Sequence, residues 1–389
     1  MKNNSSKIII GIDIGSSNLR AISCTYEEGM RFPEVLAIYK KPLEGISKGN
    51  VLDVNEVSEA ISDAILTLEE KVGAQATYTL VSIAGTHLTS HHASGYAQVT
   101  RGDAAITDLD VENAIKDGNK GVPDIRNKTV IHSIPIRYKI DGNDTDGNIL
   151  GLHGNKLEVK TLFITCSNNS INNLKESLNK ADVRVTDIVT GSIAESISLL
   201  TKKQKIAGVI LLNIGAQTTS MLVYENNTPL LVSVIPVGGD DITRDLALGL
   251  KVSLEEAEDI KRGKVDKHYN KRRFDEIIEA RIDDLCTKIN KELDRINRRE
   301  LLPAGVIVCG GSSNIEKLDY MLRAGLKLPI KITKNELSRL TGNTLSDTEW
   351  ARVYGLTFLA PKDTGNEVLK DLVSTFVSRV KRFFVQFLP

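Results

Sequence analysis

Two short segments of the sequence combine an apolar run, a tight turn of small residues and a polar return. The first is GIDIGSSNLRAI, residues 11–22, and the second is LLNIGAQTTSML, residues 211–222. In each, a strand, a turn and a second strand would present backbone N–H groups in a concave nest that suits a phosphate. A shift of 200 residues places Asp13 on Asn213 and Gly15 on Gly215. The repeat predicts two related lobes that face one ligand.

Two further segments carry residues that could complete such a site. GVIVCGGSSNIEKL, residues 305–318, reads as a buried strand running into a Gly-Gly-Ser-Ser turn that lets a flat ligand approach the backbone. Glu258 and Lys261 share a face of a predicted helix, where they could bind ribose hydroxyls or a base. The alternative for this pair is a solvated intrahelical ion pair. The facing nests could hold the β- and γ-phosphates of a nucleotide, with Mg²⁺ bridging them and Asp13 holding one of its waters.

The bulk composition narrows the class of protein. With 389 residues, of which 41% are hydrophobic, we expect two or three domains with real cores. The formal net charge of zero argues against a wholesale nucleic-acid binder. The start has too short an apolar run for a signal peptide, and no stretch reaches the roughly 20 apolar residues of a membrane span, so we expect folding in the cytoplasm. The isolated cysteines are predicted to be buried thiols rather than disulfides or zinc ligands: Cys24, Cys166, Cys286 and Cys309.

Hydrophobic periodicity indicates the elements that must position these turns. Residues 53–73, 169–183 and 191–201 have helical spacing, and the heavily charged stretch 253–305 is mostly helical. The charged face of that stretch is either solvated surface or a docking face for a partner. Residues 77–160 read as a small α/β insert of short strands and turns with one helix around DLDVENAIKDG. Its histidines are interpreted as surface polar residues rather than metal ligands: His87, His91 and His92.

The last segment, TGNEVLKDLVSTFVSRVKRFFVQFLP, has the pattern of an interfacial membrane helix. Thr364 and Glu367 form a T-x-x-E capping box at its start. Its apolar face comprises Leu369, Leu372, Val373, Phe376, Val380, Phe383, Phe384 and Phe387, and basic residues Arg379, Lys381 and Arg382 interrupt it. These charges are too many for a spanning helix, so we expect the phenylalanines in the acyl boundary and the basic groups near anionic headgroups. The alternative is a terminal helix packed onto the body.

These blocks resemble the actin-like ATPase superfamily and, within it, the FtsA family of bacterial division proteins. The segments SIAGTHLTSHHASGY, ITDLDVENAI, VIHSIPIRYKIDG and HGNKLEVKTLFI are similar to the subdomain specific to that family. IPVGGDDITRDLALGL and IIEARIDDLCTKINKELDRINRRELLPAGVIVCGG are similar to its second lobe. The resemblance implies an α/β, actin-like two-lobed fold with ribonuclease H-like domains, an FtsA-type insert subdomain and a C-terminal amphipathic helix.

The same resemblance implies the domain boundaries. The first lobe comprises residues 1–83 and 163–195, and the insert comprises residues 84–162. The core of the second lobe comprises residues 196–245 and 302–360, and its helical subdomain comprises residues 246–301. A linker at 361–367 precedes the membrane-targeting helix at 368–389.

The resemblance also assigns site residues for ATP and Mg²⁺. The first phosphate loop corresponds to Asp13, Gly15, Ser16, Ser17 and Asn18, and the second to Asn213, Gly215, Ala216, Gln217, Thr218 and Thr219. The adenosine side corresponds to Gly238, Gly239, Asp240, Glu258, Lys261, Gly310, Gly311 and Ser312. Asp13 and Glu195 are the candidate catalytic residues, with Glu195 positioning a water and the metal held near Asp13.

The second loop departs from the family, which usually reads D-I-G-G-G-T where this chain reads N-I-G-A-Q-T. Asn213 keeps a hydrogen-bonding oxygen but lacks the charge of an acid near the metal. Ala216 and Gln217 narrow the backbone freedom that two glycines would give. We therefore expect nucleotide binding with very slow or no hydrolysis.

The function implied by the resemblance is that of a polymerising adaptor of cell division. It would tether FtsZ filaments, through the FtsZ C-terminal tail, to the anionic inner face of the cytoplasmic membrane at the division site and help recruit other division proteins. Its partners would be FtsZ, further copies of itself and the lipid surface, with no nucleic acid. Two alternatives stay open, a PilM-like adaptor of pilus assembly and a small-metabolite kinase of the same fold.

Overall fold

The computed structural model describes residues 7–26, 30, 32–145, 147–264, 269–334, 336–342, 344–345 and 348–361. The strands of this part of the chain are β1 Ile8–Ile14, β2 Asn18–Thr25, β3 Glu34–Pro42, β4 Ile46–Ser47, β5 Asn50–Val51, β6 Tyr78–Ile83, β7 Leu88–Gln98, β8 Lys128–Ile140, β9 Asn143–Thr145, β10 Lys156–Ser167, β11 Asp187–Thr190, β12 Val209–Ile214, β13 Thr219–Glu225, β14 Thr228–Ile235, β15 Val306–Cys309 and β16 Ile330–Ile332. The helices are α1 Val54–Val72, α2 Asp108–Asn119, α3 Asn168–Lys180, α4 Gly191–Leu199, α5 Lys202–Ala207, α6 Gly239–Leu250, α7 Leu254–Lys261, α8 Lys271–Arg295, α9 Leu318–Leu326, α10 Glu336–Leu340 and α11 Ala351–Thr357.

Two five-stranded sheets repeat one topology. The first has the order β11-β6-β1-β2-β3 and the second the order β16-β15-β12-β13-β14. In each, a three-stranded antiparallel meander is extended by parallel strands on the side of its first strand. Every residue of β1 is buried, which explains why it reads as a nearly continuous apolar run rather than an alternating one. The predicted pair of related lobes and the α/β class are confirmed.

The register of the two hairpins is the same after the shift of 200 residues. Asp13 pairs with Arg20 across the first hairpin, and Asn213 pairs with Ser220 across the second. The turns close alike, because the Gly15 N–H donates to the Asn18 carbonyl at 3.1 Å and the equivalent bond from Gly215 measures 2.9 Å. The internal repeat seen in the sequence is therefore a repeat of backbone geometry.

The predicted helices lie on these sheets with their apolar stripes inward. In α1, Asp53 accepts hydrogen bonds from the N–H groups of Asn55 and Glu56, and Gly73 ends the helix at a φ of 72°. The stripe of α8 is buried from Ile278 to Leu293, with Ile277 only partly buried beside it. Capping and the 3.6-residue period together determine these helices.

The insert folds as a separate sheet of order β7-β10-β8-β9 with α2 against it. Thr107 and Asp110 form a capping box at the start of α2. The insert touches the second lobe where Ser90 Oγ donates to the Val232 carbonyl at 2.7 Å and accepts from the Val232 N–H at 3.0 Å. Its edge strand β7 thus meets the edge strand β14 of the second lobe.

Helix α11 follows the second lobe in sequence but packs on the first. A Cβ placed on Gly11 of β1 would lie 2.6 Å from the Val353 carbonyl oxygen of α11. A Cβ on Gly355 would lie 1.9 Å from the Ala194 carbonyl oxygen of α4. Glycine at these two positions lets the backbone of α11 approach both β1 and α4 more closely than any side chain would allow.

The predicted linker and membrane helix, residues 361–389, lie outside the described residues apart from Pro361. Among the helices that the structure does describe, none is both long and apolar enough to cross a bilayer.

Replacing Gly355 with alanine should lower the free energy of unfolding by about 3 kcal/mol, because the new methyl group has to displace the backbone of α4. Urea unfolding of the purified chain measures the change. Gly102→Ala is the matched control, since a Cβ there meets nothing within 4 Å, and it should change stability by less than about 0.5 kcal/mol. Equal effects of the two substitutions would contradict the close packing of α11.

Candidate functional site

The turns of the two hairpins are connected by the short β4–β5 turn of the first lobe. Ser16 Oγ accepts from the Gly49 N–H at 3.1 Å, and the neighbouring Lys48 N–H donates to Gln217 Oε1 at 2.7 Å. Gln217 belongs to the second hairpin, so its side chain crosses from one lobe to the other. In the first turn, Asn18 Nδ2 donates to Ser17 Oγ at 2.9 Å. The glutamine that replaces a family glycine is therefore a contact between the lobes.

The second turn also contacts the start of α6 and the turn after β15. The Gly239 N–H donates to the Gly215 carbonyl at 2.9 Å, and the Asp240 N–H donates to the Ala216 carbonyl at 2.7 Å. Ser312 Oγ donates to the same Gly215 carbonyl at 3.2 Å. The structure thus brings together three segments that the sequence assigned to phosphate and adenosine binding.

Close backbone approach explains the glycines of this group. Gly310 has a φ of +95°, and a Cβ there would lie 2.5 Å from Asn213 Oδ1. A Cβ on Gly238 would lie 2.4 Å from the Ala216 carbonyl oxygen. Gly311 begins the 3₁₀ turn Gly311–Asn314 beside Glu349. The second hairpin, α6 and this turn therefore form one tightly packed wall.

Glu258 and Lys261 lie against this wall. Their side chains form an ion pair of 2.6 Å, and Lys261 Nζ also donates to the Gly239 carbonyl at 3.0 Å and to Thr243 Oγ1 at 2.7 Å. Burial would raise the pKa of Glu258, but Lys261, Thr243 and Arg262 outweigh it and hold that pKa below its usual value. The Lys261 side chain is 9% exposed, which disfavours the alternative of a solvated ion pair.

The two threonines of the second loop make different contacts. Thr219 is fully buried, and its hydroxyl donates to the Val237 carbonyl at 2.8 Å. Thr218 contributes its carbonyl oxygen to the turn. The structure does not bring the Thr219 hydroxyl to the cleft, because it serves the internal packing of the meander.

A residue that the sequence interpretation missed, Arg352 of α11, connects the first hairpin to Glu195, which in turn contacts the second hairpin. Its Nη1 lies 3.1 Å from Asp13 Oδ1, and its Nη2 lies 3.3 Å from Glu195 Oε1. Asn213 Nδ2 donates to the same Glu195 oxygen, and Ser82 Oγ donates to Asp13. We call Asp13, Arg352, Glu195 and Asn213 the Arg352 cluster. The signal in the sequence was one cation in the otherwise uncharged run ARVYGLTFLA.

The cluster is buried, and this controls its ionisation. The exposed fraction of the side chain is 11% for Arg352, 6% for Asp13 and 2% for Glu195. Burial raises the pKa of Glu195 although Arg352 opposes the rise. Burial would lower the pKa of Arg352, but Asp13 and Glu195 outweigh it, so its pKa is raised and the guanidinium is charged. The cluster therefore has one permanent cation and one carboxyl group that resists ionisation.

The residues near Asp13 do not fit a resident Mg²⁺. The guanidinium of Arg352 already contacts Asp13 Oδ1, and the equivalent residue of the second hairpin is a neutral asparagine. Mg²⁺ is usually held by waters and substrate phosphates together with one or two carboxylates, and here the charge of the one candidate carboxylate, Asp13, is already compensated by Arg352. Within the residues that the structure describes, no group of three or more His, Cys, Asp and Glu side chains could hold a metal ion.

Two other sequence interpretations concern residues away from the cleft. The cysteines are buried and free, as predicted, and burial raises the pKa of Cys24, Cys166 and Cys286 to about 12. The surface interpretation of the histidines was wrong for His87. His92 is exposed, but both ring nitrogens of His87 are buried and burial lowers its pKa to about 4.

Two facing hairpins of this kind, each opening a five-stranded sheet, define an actin-like fold. Solved structures of the same fold include the PilM-PilN type IV pilus biogenesis complex, with a TM-score of 0.67, 16% identity, and coverage of 90% of this chain and 97% of that one. They also include MreB5 of Spiroplasma citri bound to ADP, with a TM-score of 0.52, 11% identity, and coverage of 94% and 98%. At these identities the likeness concerns the fold alone.

Sequence comparison places the chain within this class. Residues 210–355 match the family model "Cell division protein FtsA", and residues 85–165 match the model "SHS2 domain inserted in FTSA". Among its relatives, the cell division protein FtsA of Pseudomonas aeruginosa is 27% identical over 350 residues, which are 84% of this chain and 83% of that protein. This chain belongs to the FtsA family of cell division proteins.

Replacing Asn213 with aspartate should destabilise the chain increasingly as the pH rises. The introduced carboxyl group and that of Glu195 would share one proton, so the folded pKa of that pair would lie above the unfolded values. A raised folded pKa gives stability that is present at low pH and lost as the pH rises through it. We expect a loss of about 3 kcal/mol at pH 8 and a much smaller loss near pH 5, measured by urea unfolding at both pH values.

The control is Asn213→Ala, which removes the donor without adding charge and should cost a similar amount at both pH values. An N213D penalty that does not change with pH would contradict the contact with Glu195. Because the cluster already contains a cation, we also expect N213D to gain no ATP hydrolysis.

Proposed function

We propose that this chain binds ATP in the cleft between its lobes and uses it as a conformational ligand more than as a fuel. The observation that carries the proposal is the pair of hairpin turns with equivalent register, joined through Gln217 and through the Arg352 cluster. Backbone nests of this kind suit phosphates. The packing of Gly239, Ser312 and Lys261 beside the second turn supports an adenosine side in the second lobe. A ligand that contacts both turns would bias the relative position of the lobes.

The environment of Glu195 supports weak or absent hydrolysis. A carboxylate that activates a water needs an open position within hydrogen-bonding distance of that water. Glu195 is 1% exposed, and its Oε1 accepts from Asn213 and contacts Arg352. It is better placed to hold the cluster together than to position an attacking water.

We further infer that the chain polymerises and tethers FtsZ filaments to the cytoplasmic face of the cell membrane at the division site, and helps recruit other division proteins. Membership of the FtsA family supports this role. We assign the docking surface for the FtsZ tail to the helical subdomain of residues 246–301. There, Leu248 is 81% exposed and Leu254 is 59% exposed among charged side chains, a combination that suits a short peptide with apolar anchors.

The sequence of residues 364–389 supports the membrane contact. Eight large apolar residues, each half withdrawn from water, would contribute on the order of 10 kcal/mol before ordering costs. Each basic residue near an anionic leaflet would add roughly 1 kcal/mol. One such helix binds reversibly, so a filament that carries many copies would stay attached through avidity.

The two alternative functions have less support. The likeness to the PilM complex is one of fold at 16% identity, whereas both family models that match the chain are those of FtsA. A metabolite kinase would need a carboxylate base above its substrate, and the candidates Asp13 and Glu195 both contact Arg352.

Co-sedimentation with anionic liposomes and FtsZ, with and without ATP, tests the tethering role. The full chain should bring FtsZ into the lipid pellet, and a variant lacking residues 364–389 should stay in the supernatant together with FtsZ. Binding of the truncated variant to an FtsZ tail peptide shows that its body is intact. Unchanged sedimentation of the truncated variant with lipid would rule out the terminal anchor.

Replacing Gln217 with alanine should speed nucleotide release. The variant loses the hydrogen bond from the Lys48 N–H, so the two hairpin turns separate more readily. A bond of this kind is worth about 1 kcal/mol, so the dissociation rate of a fluorescent ATP analogue should rise roughly fivefold. Gln98→Ala, on the exposed face of the insert sheet, is the matched control. Identical release rates for both variants would show that Gln217 does not restrain the cleft.

A further inference from the structure

The position of Arg352 is fixed by three close backbone contacts. A Cβ on Gly191, the first residue of α4, would lie 2.6 Å from Arg352 Nε, so the absence of a side chain there makes room for the arginine. Gly11 and Gly355 let α11 approach β1 and α4 in the same way. The guanidinium is therefore held in one place between Asp13 and Glu195, and its side chain keeps 11% exposure.

The charges around the two hairpins are balanced by side chains. Arg352 offsets Asp13, burial disfavours the ionised form of Glu195, and Asn213 adds no charge where an acid would add one. Near the first turn, Glu349 contacts both Arg20 and Lys40, which leaves that trio with one surplus positive charge. Burial would raise the pKa of Glu349, but these cations outweigh it and lower that pKa, so the glutamate is ionised.

Arg20 lies beside the first hairpin turn, and Arg352 lies behind it on Asp13. A Cβ on Gly15 of the first turn would lie 3.9 Å from Arg20 Nη1 and 3.9 Å from Asp13 Oδ2. Arg352 contacts the other oxygen of Asp13. Arginine side chains are well suited to phosphates because the planar guanidinium donates several hydrogen bonds and remains charged.

We propose that Arg352 is a built-in cation that takes the place of the divalent metal at this site, so that the chain binds nucleotide without requiring Mg²⁺. The inference rests on the proposed nucleotide binding and specifies how the phosphate charge is compensated. Arg352 already neutralises Asp13, the acid that would otherwise face the metal, and Arg20 and Lys40 with Glu349 leave one surplus positive charge beside the first turn. The asparagine at 213 belongs to the same arrangement, because an acid there would compete with Asp13 and Glu195 for one guanidinium.

The test is the affinity of the full chain for a fluorescent ATP analogue in excess MgCl₂ and in excess EDTA, measured by anisotropy. The wild-type affinity should agree within about threefold between the two conditions. In the double variant Arg352→Ala with Glu195→Gln, which leaves no unpaired buried glutamate, the affinity in EDTA should fall at least about tenfold and be restored by MgCl₂. Arg352→Lys keeps the charge and should stay independent of metal.

Arg323→Ala, an exposed arginine of α9, is the matched control and should behave as the wild type does. Circular dichroism and urea unfolding show whether each variant is folded. The comparison of the wild-type affinity in MgCl₂ and in EDTA tests the inference even if the double variant does not fold. A wild-type affinity that falls more than about tenfold in EDTA overturns the inference and leaves the proposed nucleotide binding intact. Absence of binding by the wild type in both conditions overturns the proposed nucleotide binding itself.

Discussion

The rest of the structure depends on one buried arginine and the two carboxyl groups that flank it. Removing a guanidinium from water costs several kcal/mol unless opposite charges with suitable geometry compensate for it. Asp13 comes from β1, Glu195 from α4 and Arg352 from α11, so compensation requires all three elements to be in place at once. Glycines at the contacts of α11 provide the necessary approach. The same ion pairs hold α11, which follows the second lobe in the sequence, against the central strand of the first lobe.

The departures in the second hairpin turn are best understood from this arrangement. Asn213 donates to Glu195, an interaction that an ionised aspartate could not make. Gln217 accepts from the Lys48 N–H of the other lobe, and the Ala216 carbonyl accepts from the Asp240 N–H at the start of α6. Two of the three replaced positions, Asn213 and Gln217, have therefore gained a side-chain contact, whereas the bond at Ala216 is made by its backbone. The second hairpin turn is therefore hydrogen-bonded to the first lobe through Gln217 and to the start of α6 through the Ala216 carbonyl.

Side chains already connect the two lobes across the cleft. This arrangement suits the proposed role of the nucleotide as a conformational ligand rather than as an energy source. In an actin-like fold, a ligand between the two lobes can connect them. In this chain the Gln217 side chain already connects them through its contact with Lys48. A nucleotide would add to an existing connection instead of creating it. For a member of the FtsA family, which we propose to act at the membrane with FtsZ, the useful output would be a stable orientation of the two lobes within a filament.

The sequence by itself determined the two hairpins, because a shift of 200 residues superimposes Asp13 on Asn213 and because local turn chemistry fixes both. Helical periodicity and capping likewise determined α1, α2 and the stripe of α8. Only the tertiary structure decided that Arg352 reaches Asp13, since the two lie 339 residues apart and no local pattern connects them. It also decided that Gln217 crosses between the lobes. Contacts over such separations depend on how whole elements pack, which neither periodicity nor turn chemistry encodes.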